Sequence, residues 1–307
     1  MEPDNKKPNK ILVTHNGSFH SDDAFAAASL SLLLVKKGES FKFIRTRNPQ
    51  VVEEGDYVFD VGGIYDEDGN RFDHHQKGFK VQRENGILYS SFGLVWKKFG
   101  AEICEDQKIF DLIDEKLVCP VDAWDNGLDL VENKYKISPY FIQHAFFSMM
   151  PTWREREEQG EALLNAMFLK SVAMAREILS REIIQARNAL LAEEAVTLAY
   201  NNSKDKRIIV LDKNYPAEYI LQNFPEPLFV IYPRSNDDTF GVKAVREDPK
   251  TFNNRKDFPV PWGGLRDEEL VNITGVKEAV FCHKGLFLVV AKTKEGAIQL
   301  ANLALAS

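Results

Sequence analysis

Cysteine is scarce. Cys104, Cys119 and Cys282 are the only three in 307 residues, and they stand far apart. That excludes a disulfide framework and a cysteine-based zinc site, and predicts a reducing compartment. No apolar run approaches the roughly 18 residues of a membrane-spanning helix. The opening MEPDNKKPNK has neither an apolar core nor an Arg-rich amphipathic pattern, so no targeting peptide is predicted and the expected location is cytoplasmic. Positive charge is also in deficit. Lys plus Arg number 39 against 46 Asp plus Glu, a net −7, which excludes a uniformly basic nucleic-acid coat. The whole deficit lies in residues 1–204, with 25 basic and 32 acidic groups, while residues 205–307 carry 14 of each. Such an excess ordinarily serves solubility. It also arises when carboxylates are collected to hold metal ions.

What is present is a globular composition, with 44% apolar residues and 21 phenylalanines. At roughly 100–200 residues per domain the length allows about two domains. Residues 10–15 (KILVTH), 41–47 (FKFIRTR) and 56–63 (DYVFDVGG) read as strands, and the Ala/Leu-rich residues 21–35 read as a helix capped by Ser21 or Asp22. Strands separated by helices predict βαβ units and a parallel sheet. Residues 154–200 contain no proline and one glycine, and predict one or two long helices. Strands are expected at 207–211, 227–234 and 240–245, the last two as a hairpin around Ser235-Asn236-Asp237-Asp238. A helix at 266–274 stopped by Gly275, two strands within 279–292, and a helix at 295–305 complete the chain. The predicted division is a metal-binding catalytic domain at 1–153, a helical connector at 154–204 and a substrate-binding domain at 205–307.

Histidine is rare too, six in all, yet four of them sit beside aspartates in two short segments. His15 and His20 lie in HNGSFHSDD, between the first strand and the first helix. His74 and His75 lie in FDHHQ. An adjacent histidine pair is ordinarily a surface accident. Two separate strand-to-loop segments each delivering His with Asp point instead to a divalent cation, because imidazole and carboxylate suit ions such as Mn²⁺ and Zn²⁺. The C-terminal edge of a parallel sheet is also where α/β proteins place ligands. Asp60 ends an apolar strand, where an unpaired charge costs several kcal/mol. Asp122, in CPVDAWDNG, is a further candidate, with Asp125 a nearby competitor.

In this order HNGSFHSDD, DVGG, FDHHQ and VDAWDNG resemble the motifs of the DHH phosphoesterase superfamily, and of its Myg-type exonuclease branch in particular. The likeness runs on through VPWGGLRDEEL (260–270) and FCHKGLF (281–287). The superfamily's first motif reads His, three residues, Asp, one residue, Asp. Here His15, His20 and Asp22 stand in those places, with one extra residue and a His for the first Asp. The resemblance implies one ion on His15, His20 and Asp60, and a second on Asp22, Asp60, His74 and Asp122, with Mn²⁺ expected and Mg²⁺ an alternative. Two divalent ions clamp an in-line displacement at phosphorus.

Asp73 is expected to orient a ligand histidine, and His75 to donate a hydrogen bond to a phosphate oxygen. Adjacent side chains in an extended segment point apart, so one ring of the pair enters the metal shell and the other faces the cleft. Arg234, Arg266, His283 and Lys292 are candidates for substrate contacts. Leu288–Ala291 stand where the superfamily has a Gly-Gly-Gly-His-type grip. Trp262 either stacks on a base or packs in the core, and packing is favoured. The expectation is an α/β fold with a parallel sheet, flanking helices and a smaller mixed-sheet domain. The expected activity, direction and substrate included, follows from the resemblance: metal-dependent 3′-to-5′ hydrolysis of single-stranded RNA. A hydrolase of short oligonucleotides, cyclic dinucleotides or pyrophosphate is the nearest alternative, and a noncatalytic metal- or nucleotide-binding protein the more distant one.

Overall fold

A computed structural model describes residues 10–235 and 237–307. Residues 1–9, where no targeting peptide is expected, and Asn236 of the expected turn lie outside the described residues. The chain is α/β, in two compact units, Met1–Ala186 and Arg187–Ser307.

The first unit is built on β1 (Lys10–Thr14), β2 (Phe41–Arg45), β3 (Tyr57–Phe59), β4 (Tyr65–Asp66) and β5 (Arg71–Phe72), in the order β2-β1-β3-β5-β4. β1 runs parallel to β2 and β3, and β3 parallel to β5. Only β4 is antiparallel, at the edge. β1 therefore sits inside the sheet, which is why its central Ile11, Leu12 and Val13 are all apolar. β4 and β5 are two residues each, too short for an alternating pattern to announce them in the sequence.

Helix α1 (Ser21–Lys36) is buried almost all round, Ala24 and Ala26–Ala28 included. A helix without a polar face belongs in the interior. The alanines let it lie close to its neighbours, and Phe25 stacks on Phe92 at 5.0 Å and tilts onto Phe146 at 5.2 Å. Phe92 belongs to α3 (Ser91–Cys104) and Phe146 to α6 (Ile142–Met149). After the short α2 (Pro49–Glu53) and α3 come α4 (Gln107–Ile113), one π-helical turn (Asp114–Val118) and α5 (Cys119–Asp125) in an unbroken run. Helix α7 (Trp153–Asn202) is a single element interrupted at Gly160, whose φ of 61° and ψ of −150° are not helical. Its Phe168 meets Phe43 of β2 edge-on. The division between the two units falls within this helix.

The second unit carries β6 (Ile208–Val210), β7 (Phe229–Pro233), β8 (Phe240–Ala244), β9 (Ala279–Cys282) and β10 (Leu288–Ala291), ordered β6-β7-β8-β10-β9. β6 pairs parallel with β7 and the other pairs are antiparallel, the expected mixed sheet. Helices α8 (Glu218–Leu221), α9 (Asp267–Thr274) and α10 (Lys294–Ala306) accompany it. Phe229 and Phe258 stack in the core at 4.8 Å, and Trp262 packs beside Phe258 with 6% exposure.

Gly93 of α3 makes a close approach. A Cβ there would lie 1.9 Å from Asp122 Oδ2 and 2.7 Å from the Tyr89 ring. Helix propensity alone would make Gly93→Ala stabilising by about 1 kcal/mol. The clash reverses the sign. Denaturant titration should find Gly93→Ala destabilised by about 1–3 kcal/mol, as for other overpacked interiors. A neutral or stabilised variant would mean that α3 and α5 can move apart freely.

Candidate metal centre

The C-terminal ends of β1, β3 and β5 lie side by side and deliver the chemistry. His15 follows β1. Asp60 follows β3, and Asp73, His74 and His75 follow β5. The first turn of α1 adds Asp22 and Asp23, and the last residue of α5 adds Asp125. This is the ligand-binding edge of a parallel sheet.

Each side chain is aimed by local structure. His15 Nδ1 lies 3.0 Å from the Asn16 carbonyl, which can only accept, so Nδ1 carries the proton. Nε2 is left facing Asp23 Oδ2 at 3.2 Å and Asp60 Oδ2 at 3.1 Å. A carbonyl fixing the far ring nitrogen is the usual support of a metal-ligating histidine. His20 caps α1, and its backbone N–H donates to Asp23 Oδ1 at 3.0 Å. That capping bond holds Asp23 with Oδ2 toward His15. Asp60 has a φ of 57°, in the left-handed region that aspartate tolerates better than most residues. The kink turns its carboxylate inward, with the Ser91 hydroxyl donating to Oδ1 at 3.0 Å. Gly62 and Gly63 follow at φ 100° and 67°, turns that a side chain would resist.

Asp60 faces two ways. Oδ2 points at His15, while Oδ1 lies 3.4 Å from His74 Nε2 and 3.4 Å from His75 Nδ1. His74 Nε2 also lies 3.3 Å from Asp125 Oδ2 and 3.9 Å from Asp22 Oδ2. Three ligand-type groups result: His15 with Asp23 and Asp60, Asp60 with His74 and His75, and His20 with Asp22 and Asp125.

Electrostatics make these groups unstable alone. Asp22, Asp23 and Asp60 are buried and Asp125 nearly so. Burial first, then repulsion from Asp125 and Asp60, pushes Asp22 well above the usual carboxylate range. Burial also raises Asp23, although His15 opposes it, and raises Asp125, with Asp60 adding to the shift. Asp60 goes the other way: burial would raise it, but its contacts with His15 and His74 outweigh burial and hold it low. Against its own burial, His15 is held up at about 10 by Asp23 and Asp60.

The donor set fits a divalent cation. Asp22 Oδ1 and Oδ2, Asp23 Oδ2 and His74 Nε2 are buried without a hydrogen-bond partner. A buried orphan polar group costs about 1–3 kcal/mol, so four in one place need an explanation. Ligands about 2.0–2.2 Å from an ion and 90–110° apart stand roughly 2.8–3.6 Å from one another. The separations of 3.1, 3.2, 3.3 and 3.4 Å given above fall in that range. A divalent cation would offset carboxylate charge there.

Among the residues singled out from sequence, His15, His20, Asp22, Asp60, His74 and His75 converge. Asp73 is adjacent and orients a histidine, but that histidine is His75. Asp73 Oδ1 accepts from the His75 backbone N–H at 3.0 Å and from Nδ1 at 2.9 Å, and Oδ2 accepts from Gly63 N at 2.5 Å. The contact with Asp73 raises His75 and leaves its outer edge toward solvent, 62% exposed. Asp122 is elsewhere. It is paired with Arg83 Nη1 at 2.5 Å and bonded by Ser90 Oγ at 2.5 Å and Gly93 N at 3.0 Å, while Asp114 takes the other edge of Arg83. Burial pushes Asp122 up to about 7 against the pull of Arg83. Asp125, one helical turn on, is the residue of that motif that reaches His74. Sequence reasoning missed Asp23, because it matched the first motif through Asp22 and expected the cap at Ser21 or Asp22, whereas His20 caps α1 and Asp23 completes the box.

The loop of His15 is held from outside. Arg45 Nη2 donates to Gly17 O at 2.7 Å and Nη1 to Asn165 Oδ1 at 3.0 Å, over the Phe168 ring at 4.6 Å. Glu161 Oε1 accepts from Gly17 N at 3.1 Å. The four candidate substrate contacts separate. Arg266 lies 4.6 Å over the Phe281 ring, which His283 also meets edge-on. Arg234 bonds Thr239 beyond the far end of β7, and Lys292 follows Ala291, which pairs with Phe240 opposite Pro233. His283 and Lys292 thus lie beyond opposite ends of the β9–β10 pair.

Parallel-sheet edge and His/Asp cluster together define an α/β protein with groups that could hold metal ions. The chain belongs to the MYG1_exonuc family, described as an uncharacterised protein family (UPF0160), which it matches over residues 11–305. Among its relatives, the MYG1 exonuclease of Homo sapiens is 31% identical, covering 100% of this chain and 90% of that protein. The MYG1 exonuclease of Bos taurus is 31% identical over 98% and 87%. A MYG1 protein of Schizosaccharomyces pombe is 29% identical over 96% and 97%. Of the solved structures, RecJ from Thermus thermophilus in complex with Mn²⁺ is similar over 97% of this chain, with 12% identity and a TM-score of 0.29. The chain spans 52% of that RecJ. So distant a likeness adds nothing to the fold described above.

The repulsion among buried carboxylates gives a test. In metal-free protein Asp22→Asn should raise Tm by several degrees, since relieving about 1–2 kcal/mol moves Tm by roughly 2–4 °C per kcal/mol. Added Mn²⁺ should stabilise the wild type and do much less for the variant. A destabilised metal-free Asp22→Asn would show that Asp22 has a structural partner instead.

Proposed function

We propose that the protein is a metal-dependent phosphodiester hydrolase that removes nucleotides from the 3′ end of single-stranded RNA, with two divalent ions, Mn²⁺ or Mg²⁺, at the sheet edge. The observation that carries this reading is the convergence of Asp22, Asp23, Asp60 and Asp125 with His15, His20, His74 and His75 in three groups, two of which share Asp60. The names of the human and bovine relatives support exonuclease action. RNA and the 3′-to-5′ direction rest on the sequence resemblance.

In this reading His15, Asp23 and Asp60 hold one ion, and Asp22, Asp60, His74 and Asp125 the other, with His20 beside Asp125. Bound divalent ions supply water activation and positive charge at phosphorus. The chain's own residues do the rest. Asp60 fixes the spacing of the two groups. Asp73 accepts the His75 Nδ1 proton and favours the charged imidazolium, whose second proton, on Nε2, can donate to a phosphoryl oxygen where negative charge develops. Arg45 and Glu161 keep the His15 loop in place by gripping the Gly17 backbone. Residues 1–153 carry the chemistry and 205–307 contact substrate, with Arg266 and His283 the pair that could act together.

The deciding experiment incubates purified protein with 5′-labelled RNA, DNA, dinucleotides and pyrophosphate, each with Mn²⁺, Mg²⁺ or EDTA. Stepwise shortening of the labelled RNA with Mn²⁺ and none with EDTA is expected. Pyrophosphate cleavage with RNA untouched would move the assignment to small phosphate compounds. Bound metal without any turnover would make the protein a binder.

Three substitutions test the roles. Asp60→Asn should abolish turnover at saturating Mn²⁺ with the fold intact by circular dichroism. His75→Ala should keep its manganese and lose roughly 10²–10³ in single-turnover rate, as for removal of one donor to a developing oxyanion. Equal metal loss in His74→Ala and His75→Ala would refute their different roles.

A further inference from the structure

Beside the cluster lies a pocket that the chemistry above leaves unused. It has a volume of about 370 Å³ and is lined by Phe79, Lys80, Gln82, Leu88, Asn126 and Leu128, all within the first unit. Ligand sites run from roughly 300 to 1,000 Å³. Two of its lining residues neighbour proposed ligands. The Phe79 ring centroid is 6.3 Å from that of His74, and Asn126 follows Asp125 directly.

The lining combines two kinds of group. Phe79, Leu88 and Leu128 offer apolar surface, and Leu128 is 43% exposed. Lys80, Gln82 and Asn126 offer one ammonium and two amides. The Asn126 amide is held, since Nδ2 donates to Leu88 O at 3.1 Å and to Asp122 O at 2.8 Å. Its Oδ1 remains as an acceptor. Phe79 is set by Tyr65, which it meets edge-on at 6.1 Å, and by a turn in which its N–H donates to Gln76 O. An aromatic ring, aliphatic walls and one fixed amide suit a flat ligand with apolar faces and a polar edge. A sugar phosphate alone would not need the apolar walls.

We propose that this pocket receives the base of the terminal nucleotide, with Phe79 as the stacking platform and Lys80 and the amides at its edge. The inference rests on the hydrolase reading and adds to it where the base goes. A phosphodiester at the cluster is one sugar away from its base, and the pocket is the neighbouring space. Stacking accepts every base, because each has a π face, so the subsite selects for a nucleobase and little between bases.

The test compares kcat/KM for two Mn²⁺-loaded reactions, on RNA ending in an ordinary residue and on the same RNA ending in an abasic residue. The wild type should favour the base-bearing end by roughly 5–150-fold, the range that one base–aromatic stack spans. Phe79→Ala should shrink that ratio to about 2 or less, and Phe79→Tyr should keep it. Manganese affinity of each variant shows whether His74 has stayed in place. If Phe79→Ala weakens metal binding, Leu128→Glu, a second lining residue, should shrink the ratio in the same way. A wild-type ratio near one overturns the subsite, as does an unaltered ratio in both Phe79→Ala and Leu128→Glu. A wild type inert on both RNAs with manganese bound refutes the hydrolase reading and the subsite with it.

Discussion

Four carboxylates kept out of water within one sheet edge repel one another, and most of the first unit is arranged around that repulsion. Asp22, Asp23, Asp60 and Asp125 come from three elements that a globular chain could have turned outward. Instead the interior helix α1 presents its acidic first turn, where the helix dipole favours negative charge, to the end of a buried sheet. The histidines offset part of the charge. His15 is raised because Asp23 and Asp60 flank it, and its charged form offsets theirs. Asp23 and Asp60 also serve the fold, through the α1 cap and the turn after β3, whereas both buried oxygens of Asp22 lack a hydrogen-bond partner, which speaks for chemistry rather than architecture there.

Much of this is legible without coordinates. The strand–helix alternation of the first 60 residues, the long helix after residue 153 and the mixed sheet at the end follow from apolar periodicity and from where proline and glycine fall. Residues 91–149 give no comparable signal. There the helices are short, and α4 passes into α5 through a π-helical turn that no periodicity reveals. His15, His20, Asp60, His74 and His75 can be found because rare residue types cluster at strand ends.

The choice between Asp122 and Asp125 cannot be made that way. They stand three apart on one helix, and only the rotation of α5 decides which meets His74 and which meets Arg83. The same holds for Arg234, Arg266, His283 and Lys292. Strand register places them at different ends of one sheet, and register is a property of pairing rather than of composition. Asp23 is hidden for another reason, since one of its oxygens caps a helix while the other faces His15.

The π-helical turn at Asp114–Val118 bears on how this region can change over generations. A π turn amounts to one residue added to an α-helix. Removing it would rotate everything downstream by about 100°. Asp125 would swing away from His74, and Asp122 away from Arg83, in one step. In the segment DEKLV the exposed Glu115 and Lys116 would tolerate replacement, while Asp114 holds Arg83 and Leu117 and Val118 are buried. The segment's length has no such freedom: a single codon lost there would uncouple α5 from both its partners, so relatives that keep this centre should vary here in letters and not in number.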